Sequence, residues 1–291
     1  MIENLVISQG GNNIYTFIGV LSYLNDRKLL NYIKNYYGVS AGAIVSTFLA
    51  LKYDINEIKQ TLIKVDQNKI FDNLDISNFF VNGGLVDTNN LCKVMKSIIF
   101  FKTKKINYSF LKLYNDYKVN LNIFATCIET KKILQFNHVN TPNIPIWKAL
   151  VASCCVPLLF YPFEIKINKK KLHFIDGAMS NVYPINFIPI DQLNRTLGIC
   201  YNTCYSCQFD NFLLQYLINI ILLLINNEKT NYIIYKDLTI FVDIPSELDI
   251  NVIDFINNEQ KIKLFDHGIL CAKTYYDNKK FKNKLTRSKS F

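Results

Sequence analysis

Apolar positions fall first in a short run and then at helical spacing, and the order of these two patterns suggests a fold. Asn4 to Ile7 is a short apolar run, followed by Gly10 and Gly11. Ile14, Phe17, Ile18, Leu21 and Leu24 then recur three or four residues apart, which predicts strand, glycine loop and helix. The pattern repeats at once: Ile33 to Tyr37 reads as a strand, Gly38 to Gly42 as a tight turn, and Ala43 to Leu51 as an apolar helix. Two such βα units in succession favour an α/β fold, with helices packed on a parallel sheet.

Asp54 and Glu57 have the spacing of a capping box and open a helix expected to reach Val65; Thr88 can cap another from Leu91 to Phe101, with a loop between them. Val119 to Thr126 and Ile133 to Asn137 read as a hairpin or adjacent strands. A helix over Trp147 to Cys154 stops before Pro157, whose ring nitrogen has no hydrogen to donate. Phe160 to Ile167 and Leu172 to Ile175 alternate as strands about a lysine turn, the second ending at Asp176-Gly177. Thr196 to Cys200 and Leu238 to Val242 predict further strands, with helices at about 210–226 and 256–278. Neither a repeat nor a Gly-, Ser- or Pro-rich linker divides the chain, so a single domain, 1–291, is expected. Its core spans 4–192, elements over 193–278 complete it, and a basic tail, 279–291, is expected to fray.

Composition narrows the class. Of 291 residues half are apolar, 19% are charged and 14% aromatic, which excludes a disordered chain. Met1 to Ile7 has neither the basic region nor the apolar stretch of a secretory signal, so a cytoplasmic protein is expected. The eight cysteines then read as reduced thiols. The apolar run Phe212 to Ile225 is broken by Gln215 and Asn219 and is shorter than the roughly 20 residues that cross a bilayer, so no span is predicted. A net charge of +10 fits a solvated surface or attraction to anionic lipid through the tail residues Lys279, Lys280, Lys282, Lys284, Arg287 and Lys289. Nucleic acid is not expected as a partner.

The chemistry centres on Gly38-Val39-Ser40-Ala41-Gly42, a G-x-S-x-G sequence between a predicted strand and a predicted helix. A serine held on so sharp a turn needs neighbours without bulk, which Gly38 and Gly42 supply; the plainer alternative is a serine capping a helix. A nucleophile also needs donors for a developing oxyanion, and the loop amides of Gly10 and Gly11, at a helix N-terminus, are the candidates. Ser40, Asp176 and His267 occur in the chain order of an α/β-hydrolase triad, but that nucleophile normally follows several strands and Ser40 follows two. His267 reads better as a face residue of the last helix, and His138 and His173 as strand or loop residues. Asp176-Gly177 by itself is also an ordinary strand-ending turn. Cys200, Cys204, Cys207, His267 and Cys271 match no recognised zinc spacing, so no metal is expected.

Four segments together resemble patatin-like phospholipases: Leu5 to Leu21, Tyr37 to Ala43, Ala149 to Phe160 (ALVASCCVPLLF) and Phe174 to Ile185 (FIDGAMSNVYPI). Weaker similarity runs through Val81 to Leu91 and Thr239 to Tyr275. The resemblance implies a three-layer α/β/α sandwich with a largely parallel central sheet. It further implies a lipid acyl hydrolase of phospholipase A or lysophospholipase type, with Ser40 as nucleophile and Asp176 as its base. Gly10, Gly11 and Asn12 would form the oxyanion site, and Gly38, Gly42, Gly177 and Ala178 the turns around it. Neither calcium nor another cofactor is implied; the partners are phospholipid or other acyl-ester lipid and, peripherally, a membrane surface. One departure stands out: where the family's loop commonly reads G-G-G-x-Lys/Arg-G, this chain has Gln9-Gly10-Gly11-Asn12-Asn13-Ile14. The missing cation and last glycine leave a patatin-shaped protein of weak or no activity, acting by membrane or partner binding, as the alternative.

Overall fold

Strand β1 (Asn4–Ile7) alternates its side chains between two apolar layers, Leu5 and Ile7 facing one and Val6 the other. It leads through a short 3₁₀ turn (Gly11–Asn13) into α1 (Ile14–Asp26). The second unit is β2 (Asn35–Val39) and α2 (Ala41–Ala50), so the strand runs on to Val39 and the helix starts directly after Ser40. The expected capping box opens α3 (Ile55–Lys64): Glu57 N–H donates to Asp54 Oδ1 at 2.7 Å and Asp54 N–H to Glu57 Oε2 at 2.9 Å. The structure is a computed structural model that describes residues 1–65, 67–71, 75–202, 211–245, 248 and 256–288.

The stretch before Thr88 is not simply a loop. It holds α4 (Gln67–Ile70), α5 (Ile76–Asn82) and β3 (Gly84–Val86), elements too short to show a periodic pattern in sequence. Then follow α6 (Asn89–Thr103), α7 (Phe110–Tyr117), β4 (Asn120–Cys127), β5 (Lys132–Phe136) and α8 (Ile146–Cys154). The single strand expected over 160–167 divides into β6 (Leu158–Phe160), which pairs with β3 in a separate two-stranded sheet, and β7 (Phe163–Ile167). The chain closes with β8 (Lys170–Asp176), β9 (Thr196–Tyr201), α9 (Phe212–Glu228), β10 (Thr239–Val242) and α10 (Asn258–Ser288). Helix α10 runs on through Ser288, and Lys279 Nζ reaches the Asp237 carbonyl at 3.4 Å. Residues 289–291 lie outside the described residues.

The main sheet has the order β10-β9-β1-β2-β4-β8-β7, with β5 also on β4. It is parallel from β10 to β4 and antiparallel among β4, β5, β8 and β7. One face is covered by α1, α2, α8 and α10; the other carries Tyr37, Val39 and Phe124 under the turns at 177–188 and the end of α9. The result is a three-layer sandwich with one thick and one thin helical layer. Register across the parallel part is set by a partly buried polar ladder. Asn4 Nδ2 donates to Thr196 Oγ1 at 3.1 Å, Asn35 Nδ2 to Asn4 Oδ1 at 2.7 Å, and Asn120 Nδ2 to Asn35 Oδ1. These residues are direct cross-strand neighbours, so a one-residue slip would strand the amides and turn every apolar side chain to the wrong face.

Candidate active site

The sheet brings Ser40 and Asp176 together through the two strands that share one edge of β4. β5 occupies the far edge of β4 over Ile123 to Cys127, which leaves the near edge to β2, paired up to Phe124, and to β8, paired from Ala125 onward. β2 runs with β4 and ends at Val39 opposite Phe124; β8 runs against it and ends at Asp176 opposite Ala125. Their C-terminal ends meet, and the next residue after Val39 is Ser40.

The turn at Ser40 is sharp enough to put a non-glycine residue at φ 52° and ψ −124°, a region that costs of order 1–3 kcal/mol. Close backbone packing holds it there. A methyl group at Gly38 would lie 2.3 Å from the Gly42 carbonyl oxygen, and one at Gly42 2.4 Å from the carbonyl oxygens of Ile7 and Ser8. Gly177, on the opposing strand end, is pressed against the Phe124 carbonyl in the same way. The last turn of α8 clamps both strand ends: Ser40 N–H donates to Ser153 Oγ at 2.9 Å, Ser153 Oγ donates to the Phe124 carbonyl at 2.6 Å, and Asp176 N–H donates to the Cys155 carbonyl at 2.7 Å. Sequence reasoning passed over Ser153; its signal was a hydroxyl set in the otherwise apolar run of ALVASCC.

The Ser40 hydroxyl donates a hydrogen bond to the Asp176 carboxylate, which also accepts from Ala178 N–H at 2.8 Å. Ser40 is 9% exposed and Asp176 3%. Burial pushes the carboxyl from its ordinary 3.8 up to about 7, against the two hydrogen bonds that favour its ionised form. The Cys154 thiol also contacts the Ser40 hydroxyl, and burial raises its pKa well above the usual range, so it stays protonated. This arrangement is what proton transfer from a hydroxyl requires: a short path to a carboxylate whose proton affinity lies near neutrality.

Beside the pair, Gly11 takes φ 49° as the chain turns into the 3₁₀ segment, and the Gly10 and Gly11 amide N–H groups have no backbone partner among the described residues. A methyl at Gly10 would lie 2.6 Å from the Phe17 ring, so the loop is seated directly on α1. Asn13, which stands where the resemblance would put a cation, is buried, and its side-chain amide has no hydrogen-bond partner among the described residues. Gly11 and Asn12 border the cavity that reaches Ser40 from the α3 and α6 side. A second cavity reaches Ser40 beneath α9, with Ile218, Ile221 and Ile225 on its wall, residues that no motif marked.

The histidines are engaged elsewhere. His267 Nε2 lies 2.6 Å from the Asp243 carbonyl oxygen, His173 Nδ1 2.6 Å from Glu129 Oε1, and His138 stacks on Tyr114. His267 and Cys271 contact each other along α10, while Cys200 sits in the apolar layer on the opposite sheet face; Cys204 and Cys207 lie outside the described residues. Among the described residues no cluster of three His, Cys, Asp or Glu side chains could hold a metal ion, and no helix is long and apolar enough to cross a membrane.

A serine on a strand-to-helix elbow, bonded to a buried carboxylate and reached by apolar cavities in a mixed α/β sandwich, defines the class of α/β lipid ester hydrolases. The chain belongs to the patatin-like phospholipase family, whose model matches residues 5–188. Uncharacterized protein R571 of Acanthamoeba polyphaga mimivirus is 27% identical over 286 residues, covering 94% of this chain and 93% of that protein. Triacylglycerol lipase 4 of Saccharomyces cerevisiae is 31% identical over 62% of this chain, a match that spans only 22% of that longer protein. Among solved structures, VipD from Legionella pneumophila has the same fold, with a TM-score of 0.61 at 14% identity over 95% of this chain and 67% of that one. Family membership supports lipid ester hydrolysis as the activity.

Proposed function

We propose that the protein is a phospholipase A or lysophospholipase type acyl hydrolase working through a Ser40-Asp176 dyad. The observation that carries this reading is the hydrogen bond from the Ser40 hydroxyl to a buried carboxyl whose pKa is raised to about 7. Ser40 Oγ attacks the ester carbonyl carbon as its proton passes to Asp176, and the oxyanion that forms is held by the Gly10 and Gly11 amides, with Asn12 beside them. The carbon–oxygen bond of the ester breaks, the alcohol leaves with the proton from Asp176, and the acyl group stays on Ser40. Water then attacks the acyl carbon, gives one proton to Asp176, and releases the fatty acid as that proton returns to Ser40 Oγ. Every step uses protein groups and water, so the reading needs neither calcium nor a cofactor.

Substrate is drawn from a lipid surface. The outer side of α9 exposes Phe212, Leu213, Tyr216 and Leu223 while its inner side borders the Ser40 cavity, an arrangement suited to peripheral contact. The test is hydrolysis of a p-nitrophenyl ester and of phospholipid, with fluorophosphonate labelling. Ser40→Ala and Asp176→Asn are expected to lose turnover by roughly 10⁴-fold, and His267→Ala to keep it. Activity that survives Asp176→Asn and vanishes with His267→Ala would reverse the base assignment. The altered loop, with the Asn13 side-chain amide buried and without a hydrogen-bond partner among the described residues, favours a second reading in which the fold binds lipid without turnover; a folded chain whose Ser40 resists the probe would support it.

A further inference from the structure

We infer that Ser153 is a positioning residue for the hydrolytic reaction: its hydroxyl ties the nucleophile turn to β4 and so sets the reach from Ser40 to Asp176, given the reading of those two residues as nucleophile and base. Three consecutive residues at the end of α8 each touch the pair. Ser153 Oγ accepts from Ser40 N–H at 2.9 Å and donates to the Phe124 carbonyl at 2.6 Å. The Cys154 thiol contacts the Ser40 hydroxyl, and the Cys155 carbonyl accepts from Asp176 N–H at 2.7 Å. Phe124 is the residue of β4 at which pairing with β2 stops, and pairing with β8 begins at the next residue, Ala125. The Ser153 hydroxyl therefore joins the turn that carries Ser40 to the strand against which Asp176 is registered.

Such a bridge calls for a hydroxyl. The group must accept one hydrogen bond and donate another at the same time, from a side chain with no exposed surface. Alanine offers neither bond and would leave the Ser40 N–H and the Phe124 carbonyl without that partner, whereas a thiol fills the space as a weak donor and a weak acceptor. Ser40 needs the hold, because its φ of 52° is one that a non-glycine residue leaves when it can. Released from Ser153, the turn would relax and draw the Ser40 hydroxyl away from the carboxylate. A displacement of about 1 Å at a reacting group can cost about 10²-fold in rate. Asp176 would register the same movement, since its pKa of about 7 reflects burial opposed by the bonds from Ser40 and Ala178. Weakening the bond from Ser40 removes part of that opposition, so the carboxyl would keep its proton to higher pH. The titratable groups beside it are the Cys154 and Cys155 thiols, which burial keeps protonated well beyond this range.

The experiment follows p-nitrophenyl butyrate hydrolysis across about pH 5 to 9 in wild type, Ser153→Ala and Ser153→Cys. Turnover is counted per Ser40 labelled at completion by a fluorophosphonate, so that an unfolded fraction does not enter the rate. Val151→Ala, which truncates another fully buried side chain of α8, is the control for lost packing alone. Both Ser153 variants are expected to lower kcat per labelled site by about ten-fold or more with KM within about two-fold, and to move the acid limb of kcat/KM upward from about 7. Val151→Ala is expected to lower Tm while its turnover per labelled site and its acid limb stay those of wild type. Turnover per site and acid limb unchanged in either Ser153 variant, or an equal loss in Val151→Ala, would overturn the inference and leave the hydrolase reading standing. A folded wild type whose Ser40 takes no label would remove both.

Discussion

Ser40 and Asp176 are each held in a condition that an isolated residue avoids, one in backbone conformation and the other in proton affinity. The strained φ of Ser40 persists because Gly38, Gly42 and the Ser153 hydroxyl leave the turn no roomier alternative. The glycines were legible in sequence. The raised pKa of Asp176 was not, because it arises from the packing around β8 rather than from any neighbour in the chain. As a general base Asp176 must be ionised, so kcat/KM is expected to rise with pH and level off above about 7, the value that burial gives it. Stability should move the other way. Between 3.8 and about 7 the folded chain keeps a proton that the unfolded chain has released, so the Asp176 contribution is complete below that window and is lost as pH rises through it. Asp176→Asn, uncharged at every pH, is therefore expected to raise Tm relative to wild type at pH 8 and to differ little at pH 4. Thermal unfolding at the two pH values measures this, and a wild-type advantage at pH 8 would contradict a buried carboxylate.

At the level of elements, sequence pattern served best where local rules act alone. The capping box before α3, the stop of α8 before Pro157 and the hairpin of β4 and β5 all follow from residues near in sequence. It served poorly over 66–88 and at 158–160, where elements of three to seven residues owe their form to contacts with distant partners such as the β3 and β6 pair. Helix α9 shows both sides of this. Its polar interruptions, Gln215 and Asn219, bond each other at 2.9 Å one turn apart, so the helix keeps its apolar surface on either side of them. Leu223, exposed on its outer side, lies one position from cavity-lining Leu222. Leu223→Lys is expected to lower hydrolysis of emulsified lipid by about five-fold or more and to leave a soluble p-nitrophenyl ester unaffected. Equal loss on both substrates, in paired kinetic assays, would place the defect in the catalytic centre instead of at the lipid surface.

Over the whole molecule, a charge of +10 makes attraction to an anionic surface the expected long-range force. Lys279 and Lys280 are exposed on α10, and Lys279 reaches the Asp237 carbonyl, three residues beyond the exposed Ile234 that follows α9. Sedimentation with vesicles containing phosphatidylserine is expected to fall steeply as the Debye length shrinks from about 10 Å at 0.1 M salt to about 3 Å at 1 M, and to weaken in the double variant Lys279→Glu, Lys280→Glu. Binding that ignores both salt and the double variant would assign attachment to the apolar residues of α9 alone.

The two opening βα units, the elbow motif and the glycine loop were determined by the sequence itself, since each depends on residues a few positions apart and on the steric and hydrogen-bonding rules of the backbone. Only the tertiary structure decided that β2 and β8 end against each other on one edge of β4, bringing Ser40 to Asp176, and that Ser153 and α9 complete the surroundings. Strand order and register come from pairing between distant segments, here pinned by the ladder Thr196-Asn4-Asn35-Asn120, and the burial that tunes a carboxyl exists only once those segments have packed.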